Sequence, residues 1–165
     1  MTLRLILTRH AKSSWSSLSQ SDHERPLNSR GRASAPLIGK WIVENGFAPD
    51  LVLCSDAART RETLVCLGYT HAPDIRFEPL LYHAGPAEMA SILATARAQT
   101  VQMIGHNPGI AEFASDLLEQ APDHPDFDRY PTCATTVIEF DATSWATPGK
   151  GRCLGFVVPR DLGED

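Results

Sequence analysis

The chain has 165 residues, 42% of them apolar and 21% charged, and a net charge of −5. That length suggests one domain, spanning residues 1 to 165, able to hide about 70% of its unfolded surface without staples. The acidic balance argues against nucleic acid or a membrane surface as partner, because both call for a basic face, and no apolar run approaches the ~20 residues of a membrane span.

The start, Met1-Thr2-Leu3-Arg4, has neither the basic leader nor the cleavage site of a signal peptide. The expectation is a cytoplasmic protein that opens on a strand. The four cysteines, Cys54, Cys66, Cys133 and Cys153, are far apart and form no C-x-x-C pair, which suits reduced thiols.

Leu3 to Thr8 is an apolar run of strand length that stops abruptly on Arg9-His10. Burying two such side chains unpaired is costly. In an open α/β sheet, ligands bind at the C-terminal ends of the strands. A polar loop follows over residues 11 to 28, dense in charge at Asp22-His23-Glu24-Arg25. Asn28 or Ser29 can cap a helix. Ala33, Leu37, Ile38, Trp41 and Ile42 recur at helical spacing, so residues 30 to 45 read as an amphipathic helix with Pro36 marking a late start or a kink.

Leu51 to Cys54 reads as a strand covered on both faces. Ser55-Asp56 then reads as a cap for a helix over 57 to 67. Asp74 to Phe77 is a weak strand, and residues 86 to 98 form a helix opened by Pro86. Val101 to Gly105 is a strand that stops on His106-Asn107-Pro108, with Asn107 as N-cap of a helix reaching about Leu118. Residues 120 to 131 are a loop. Thr135 to Phe140 and Cys153 to Val158 are late strands without a crossover helix between them, which suits an antiparallel pair. The alternation implies an α/β fold: a three-layer α/β/α sandwich around a mostly parallel sheet, with antiparallel pairing late in the chain.

In such a sheet Arg9, His10, Arg59 and His106 fall on one edge, and Arg25 can join them from the long loop. Guanidinium forks match phosphate oxygens in shape and charge. A helix start at Asn107-Pro108 adds dipole of the right sign. Nearby cations push an imidazole's pKa down, which keeps it neutral and nucleophilic. The inferred chemistry is phosphoryl transfer to His10 and then to water, with His106 holding a phosphoryl oxygen. A metal site is not expected, since no H-x-x-x-H or H-E-x-x-H spacing occurs and the cations would repel the ion. His23, His71, His83 and His124 read as solvated loop residues, Arg61 as half of an exposed ion pair, and Trp15, Trp41 and Trp145 as packing residues.

The run Leu7-Thr8-Arg9-His10-Ala11 resembles the signature of the histidine phosphatase superfamily, usually Arg-His-Gly. Ser55 to Thr63 and Gly105-His106-Asn107 resemble its second and third motifs, and Asp22 to Gly31 resembles its small SixA-type branch of phosphohistidine phosphatases. The resemblance implies a phosphoglycerate-mutase-like fold and no cofactor. It implies His10 as the phosphorylated nucleophile, with Arg9, Arg59 and His106 as the phosphate pocket and Arg25 as a further contact. Ala11 departs from the motif, and is harmless unless that backbone needs a positive φ. Leucines stand where larger members carry an acid, in Pro79-Leu80-Leu81-Tyr82. Glu78, Asp22, Glu24 and His83 stay open as substitutes. An acid-poor site favours phosphohistidine, whose imidazole leaves more easily than an alkoxide. The implied partner is a phosphorylated protein. The alternatives are a small phosphate ester as substrate, or a phosphoryl-binding module without turnover. The sequence leaves the oligomeric state open.

Overall fold

A computed structural model describes residues 1–17 and 19–164. Six strands, β1 (Leu3–Arg9), β2 (Leu51–Ser55), β3 (Asp74–Glu78), β4 (Thr100–Gly105), β5 (Thr135–Phe140) and β6 (Arg152–Val157), form one sheet in the order β3-β2-β4-β1-β5-β6. The first four in that order run parallel, while β5 is antiparallel to β1 and β6 to β5. The mostly parallel sheet with an antiparallel late pair is as expected.

The period-two alternation of β1 explains the three layers. Leu3, Leu5 and Leu7 enter one apolar cluster with Met89, Ile92, Ile110 and Phe113. Those partners come from α3 (Pro86–Leu93) and α4 (Gly109–Leu117). Ile6 enters a second cluster with Ile38, Ile42 and Leu64, from α1 (Ser29–Glu44) and α2 (Ala58–Cys66). A strand buried on both faces needs apolar side chains at both parities, and β1 has them. Among the described residues, no helix is long and apolar enough to cross a membrane.

α1 bears out the helix and its Asn28 cap, whose side chain accepts from Gly31 N; it starts at Ser29 and runs through Pro36, which does not mark a late start. Two local expectations are corrected. α3 stops at Leu93 rather than at residue 98. Thr95 donates its hydroxyl to Ile92 O at 2.7 Å, and Thr95 N and Ala96 N bond three residues back, which tightens the chain out of the α-ladder. Ser55 and Asp56 do not cap α2, whose N-cap is Ala57 without a side-chain bond. Ser55 ends β2 and its hydroxyl turns to His106, while Asp56 turns to His23.

One glycine is essential to how the loop over 11 to 28 meets the fold. A Cβ on Gly31 would lie 2.2 Å from Lys12 O and 2.9 Å from Lys12 N. The start of α1 therefore packs directly on the backbone two residues past His10.

Candidate active site

The register pairs Arg9 of β1 with Gly105 of β4, so Arg9-His10 and His106 emerge side by side at the C-terminal edge of the sheet. The His10 backbone is clamped on both sides: its N–H donates to Gly105 O at 3.1 Å, and Cys133 N donates to His10 O at 2.9 Å. The His10 Nδ1 lies 2.7 Å from Ala11 O. A carbonyl can only accept, so Nδ1 carries the proton and Nε2 keeps its lone pair. Burial is the main cause that brings the His10 pKa down to about 3, with His106, Arg9 and Arg59 adding to it. The ring is neutral at pH 7.

Ala11 carries no strain, since the only non-glycine residues at positive φ among those described are Ala72, Tyr130 and Cys133. Its N–H donates to Thr63 Oγ1 at 2.9 Å, and that hydroxyl donates to Arg59 O at 2.7 Å. The turn after the nucleophile candidate is thereby tied to α2.

The His106 ring centroid lies 5.4 Å from that of His10. Its Nε2 is 2.8 Å from Ser55 Oγ. Ser55 Oγ also accepts from Ala57 N at 3.4 Å and has one proton of its own to give. In the tautomer whose Nε2 accepts that proton, the His106 Nδ1–H is free to donate; Nδ1 is buried and, among the described residues, has no protein partner. Burial, followed by Arg59, brings the His106 pKa down to about 3 as well.

Arg9 and Arg59 lie beside the pair, and Arg25 is linked to Arg59 through Asp22. Arg9 Nη1 donates to Tyr130 O at 3.2 Å, and burial, then Arg59, lowers its pKa from the ordinary value. Arg59, in the first turn of α2, donates from Nη1 to Asp22 O at 2.7 Å and from Nη2 to Asp22 Oδ2 at 3.1 Å. Arg25 donates from Nη2 to Asp22 Oδ1 at 3.1 Å and from Nη1 to Ser13 Oγ, and stacks 3.6 Å above the Trp15 ring. The Nε atoms of Arg9, Arg25 and Arg59 are all buried and, among the described residues, have no protein partner. Buried polar groups are normally paired. Four orphaned donors, counting His106 Nδ1, are what an oxyanion would satisfy. A cavity of about 280 Å³, lined by Arg59, Tyr82, His83, His106, Asn107 and Gly109 among others, opens beside Arg59 and His106.

The structure thus brings together Arg9, His10, Arg59 and His106, with Arg25 joined to Arg59 through Asp22. Asn107 lines the cavity but does not cap α4. Its Nδ2 is drawn to Tyr130 O at 2.9 Å, while the first turn is closed by Ile110 N donating to His106 O. The helix starts at Gly109.

Of the open acid candidates, only Asp22 bonds the pocket's arginines. Its carboxyl is held well below the ordinary carboxylate range, first by the Tyr82 hydroxyl and then by Arg25 and Arg59. Glu78 pairs with Arg76 instead. His83 is exposed, as expected, whereas His23 is half-buried. They flank Tyr82, at centroid distances of 4.8 and 4.0 Å, and His23 Nε2 lies 2.9 Å from Asp56 Oδ1. Trp15 is 73% exposed, not packed. Arg61 is exposed, lies 5.4 Å over the Phe77 ring and, among the described residues, makes no ion pair. Sequence reasoning missed Ser55 as the partner of His106 and Tyr82 as the partner of Asp22. A larger groove of about 660 Å³ between α2 and β3 is lined by residues such as Val65, Tyr69, Ile75 and Phe77, and holds none of these site groups.

A profile of the histidine phosphatase superfamily (branch 1) matches residues 5–85. An uncharacterized, chloroplastic protein of Arabidopsis thaliana, At3g52155, is 33% identical over 94% of this chain and 78% of its own length. Two solved structures share the fold closely. The Nakamurella multipartitia protein assigned as phosphohistidine phosphatase SixA has a TM-score of 0.82 at 28% identity, covering 96% of this chain and 97% of its own. The Agrobacterium tumefaciens protein with the same assignment has a TM-score of 0.80 at 27% identity, covering 95% and 98%. The paired imidazoles, the ring of guanidinium groups and these likenesses lead to one conclusion: the chain belongs to the histidine phosphatase superfamily (branch 1), is a phosphatase of its SixA type, and has that family's phosphoglycerate-mutase-like α/β fold.

Proposed function

We propose that the protein removes the phosphoryl group from a phosphohistidine in another protein, through a phosphorylated His10. The His10 Nε2 lone pair attacks phosphorus, the substrate P–N bond breaks, and its electron pair leaves with the substrate imidazole. A water oxygen then attacks the phosphorus on His10. The His10 P–N bond breaks, its pair returns to Nε2, and the water proton is lost as phosphate forms. Arg9, Arg25, Arg59 and the Nδ1–H of His106 hold the phosphoryl oxygens throughout, and preorganised donors of this kind stabilise the charge that develops. Asn107 is a further contact on the cavity wall. No step needs a cofactor, and the four free cysteines suit a reducing, cytoplasmic setting.

The observation that supports phosphohistidine over esters is the state of Asp22. The carboxylate beside the arginines is held ionised, so it has no proton for a departing alkoxide. A positioned acid is worth roughly 10²–10⁴ in rate to an alkoxide, and an imidazole leaves without it more readily. The test is turnover of a phosphohistidine carrier protein beside a panel of small phosphomonoesters. The expected result is a higher kcat/KM for the carrier; faster ester hydrolysis would assign the protein to small esters.

A further inference from the structure

Asp22 does to the pocket what a phosphoryl group would do. Its Oδ1 accepts from Arg25 Nη2 at 3.1 Å, and its Oδ2 accepts from Arg59 Nη2 at 3.1 Å and from the Tyr82 hydroxyl. The two guanidinium side chains are only 10% and 7% exposed, whereas the Asp22 side chain is 47% exposed. It sits on a three-residue 3-10 turn, Asp22–Glu24, capped by Ser21 in the loop over 11 to 28. An exposed carboxylate on a short turn therefore neutralises two buried cations.

We propose that Asp22 is an internal counter-anion that competes with the phosphoryl group for Arg25 and Arg59, and so drives product phosphate out of the site. The inference rests on that pocket being the phosphoryl site. Leaving two buried guanidinium groups without a counter-charge is costly, and without Asp22 that cost would oppose release of phosphate. With Asp22 at hand, its carboxylate holds an Nη atom of each guanidinium group and supplies their counter-charge as phosphate departs, while the two Nε atoms stay without a protein partner. A carboxylate and a phosphate dianion crowded on the same pair also repel each other. The Tyr82 hydroxyl keeps Asp22 aimed inward, and the second Arg59 bond, from Nη1 to Asp22 O, keeps the turn in reach whichever anion is bound. The competing reading is a strut that only aims the two arginines, and the two readings differ in sign.

The test is binding of inorganic phosphate and of tungstate by calorimetry, and product inhibition by phosphate, in wild type, Asp22→Asn and Asp22→Glu. Asp22→Asn removes the charge and keeps an acceptor oxygen and the backbone bond to Arg59. It should bind both oxyanions about tenfold more tightly, a change of ~1.4 kcal/mol. Asp22→Glu, which restores the charge, should return towards the wild-type value. Tyr82→Phe should tighten binding in the same direction by less, and serves if Asp22→Asn melts well below wild type. Unchanged or weaker oxyanion binding in folded Asp22→Asn or Tyr82→Phe would overturn the proposal in favour of a strut. If wild type binds neither oxyanion, the phosphoryl-site reading fails first and the inference falls with it.

Discussion

Acidification offers a direct reading of the two buried histidines. His10 and His106 are 6% and 7% exposed, and both have folded pKa values of about 3. In the unfolded chain each returns to about 6.5. A depressed folded pKa means that the unfolded state binds more protons between those limits. The stability these groups confer by staying neutral is therefore complete above about pH 6.5 and is lost as pH falls towards 3. At pH 5 each unfolded histidine is about 97% protonated and each folded one nearly unprotonated, so unfolding takes up about two protons from the pair. Integrated from pH 6 to pH 5, the pair should cost about 2 kcal/mol of stability. The assay is urea unfolding at pH 5.0, 5.5 and 6.0 for wild type and for a His10→Gln/His106→Gln double variant, comparing pH slopes rather than absolute stabilities. The double variant should lose about 2 kcal/mol less than wild type over that unit of pH, because glutamine does not titrate. Equal slopes would show that the two rings are protonated in the folded protein, and the neutral-nucleophile argument would fail.

Two further predictions follow from single contacts. Ser55→Ala removes the fully buried hydroxyl that orients His106; steady-state kinetics should show kcat/KM lower by about tenfold, the scale of one lost hydrogen bond, and an unchanged value would remove Ser55 from the account. Gly31→Ala pushes a Cβ into the Lys12 backbone and should destabilise the fold by about 1–3 kcal/mol in denaturant titration; it should also weaken oxyanion binding, because Ser13, which holds Arg25, is the next residue along. Stability within a few tenths of wild type would mean that the loop yields freely there.

What could be read from the sequence was whatever a strand carries in its own pattern. β1 declares itself by apolar residues at both parities and by its abrupt stop on Arg9-His10, and β4 does the same before His106. Once both are parallel strands of one sheet, their ends must share an edge, so the imidazole pair followed from topology. Asp22 and Tyr82 followed from nothing local. They are 60 residues apart and meet through a loop whose path is fixed by Ser14 N on Pro26 O, Asn28 N on Lys12 O and the close approach at Gly31. Ser55 and Asn107 are good capping types, and local sequence places each as a cap. Each instead spends its side chain across the fold, on His106 and on Tyr130 O. Tertiary partners had outbid the local ones. The length of α3 was misjudged because residues 94 to 98 contain good helix formers. The Thr95 hydroxyl on Ile92 O and the amides of Thr95 and Ala96 bonding three residues back show where the ladder ends.

In the proposed mechanism the His10 Nε2 lone pair, left free by the Nδ1 bond to Ala11 O, accepts the phosphoryl group. The decisive measurement is rapid acid-free quenching during turnover, followed by peptide mass spectrometry and phosphorus NMR of the trapped enzyme. The account predicts one acid-labile, alkali-stable phosphate on His10, absent from His10→Ala, which should also be without turnover. Phosphate on another residue, or full turnover by His10→Ala, would contradict it.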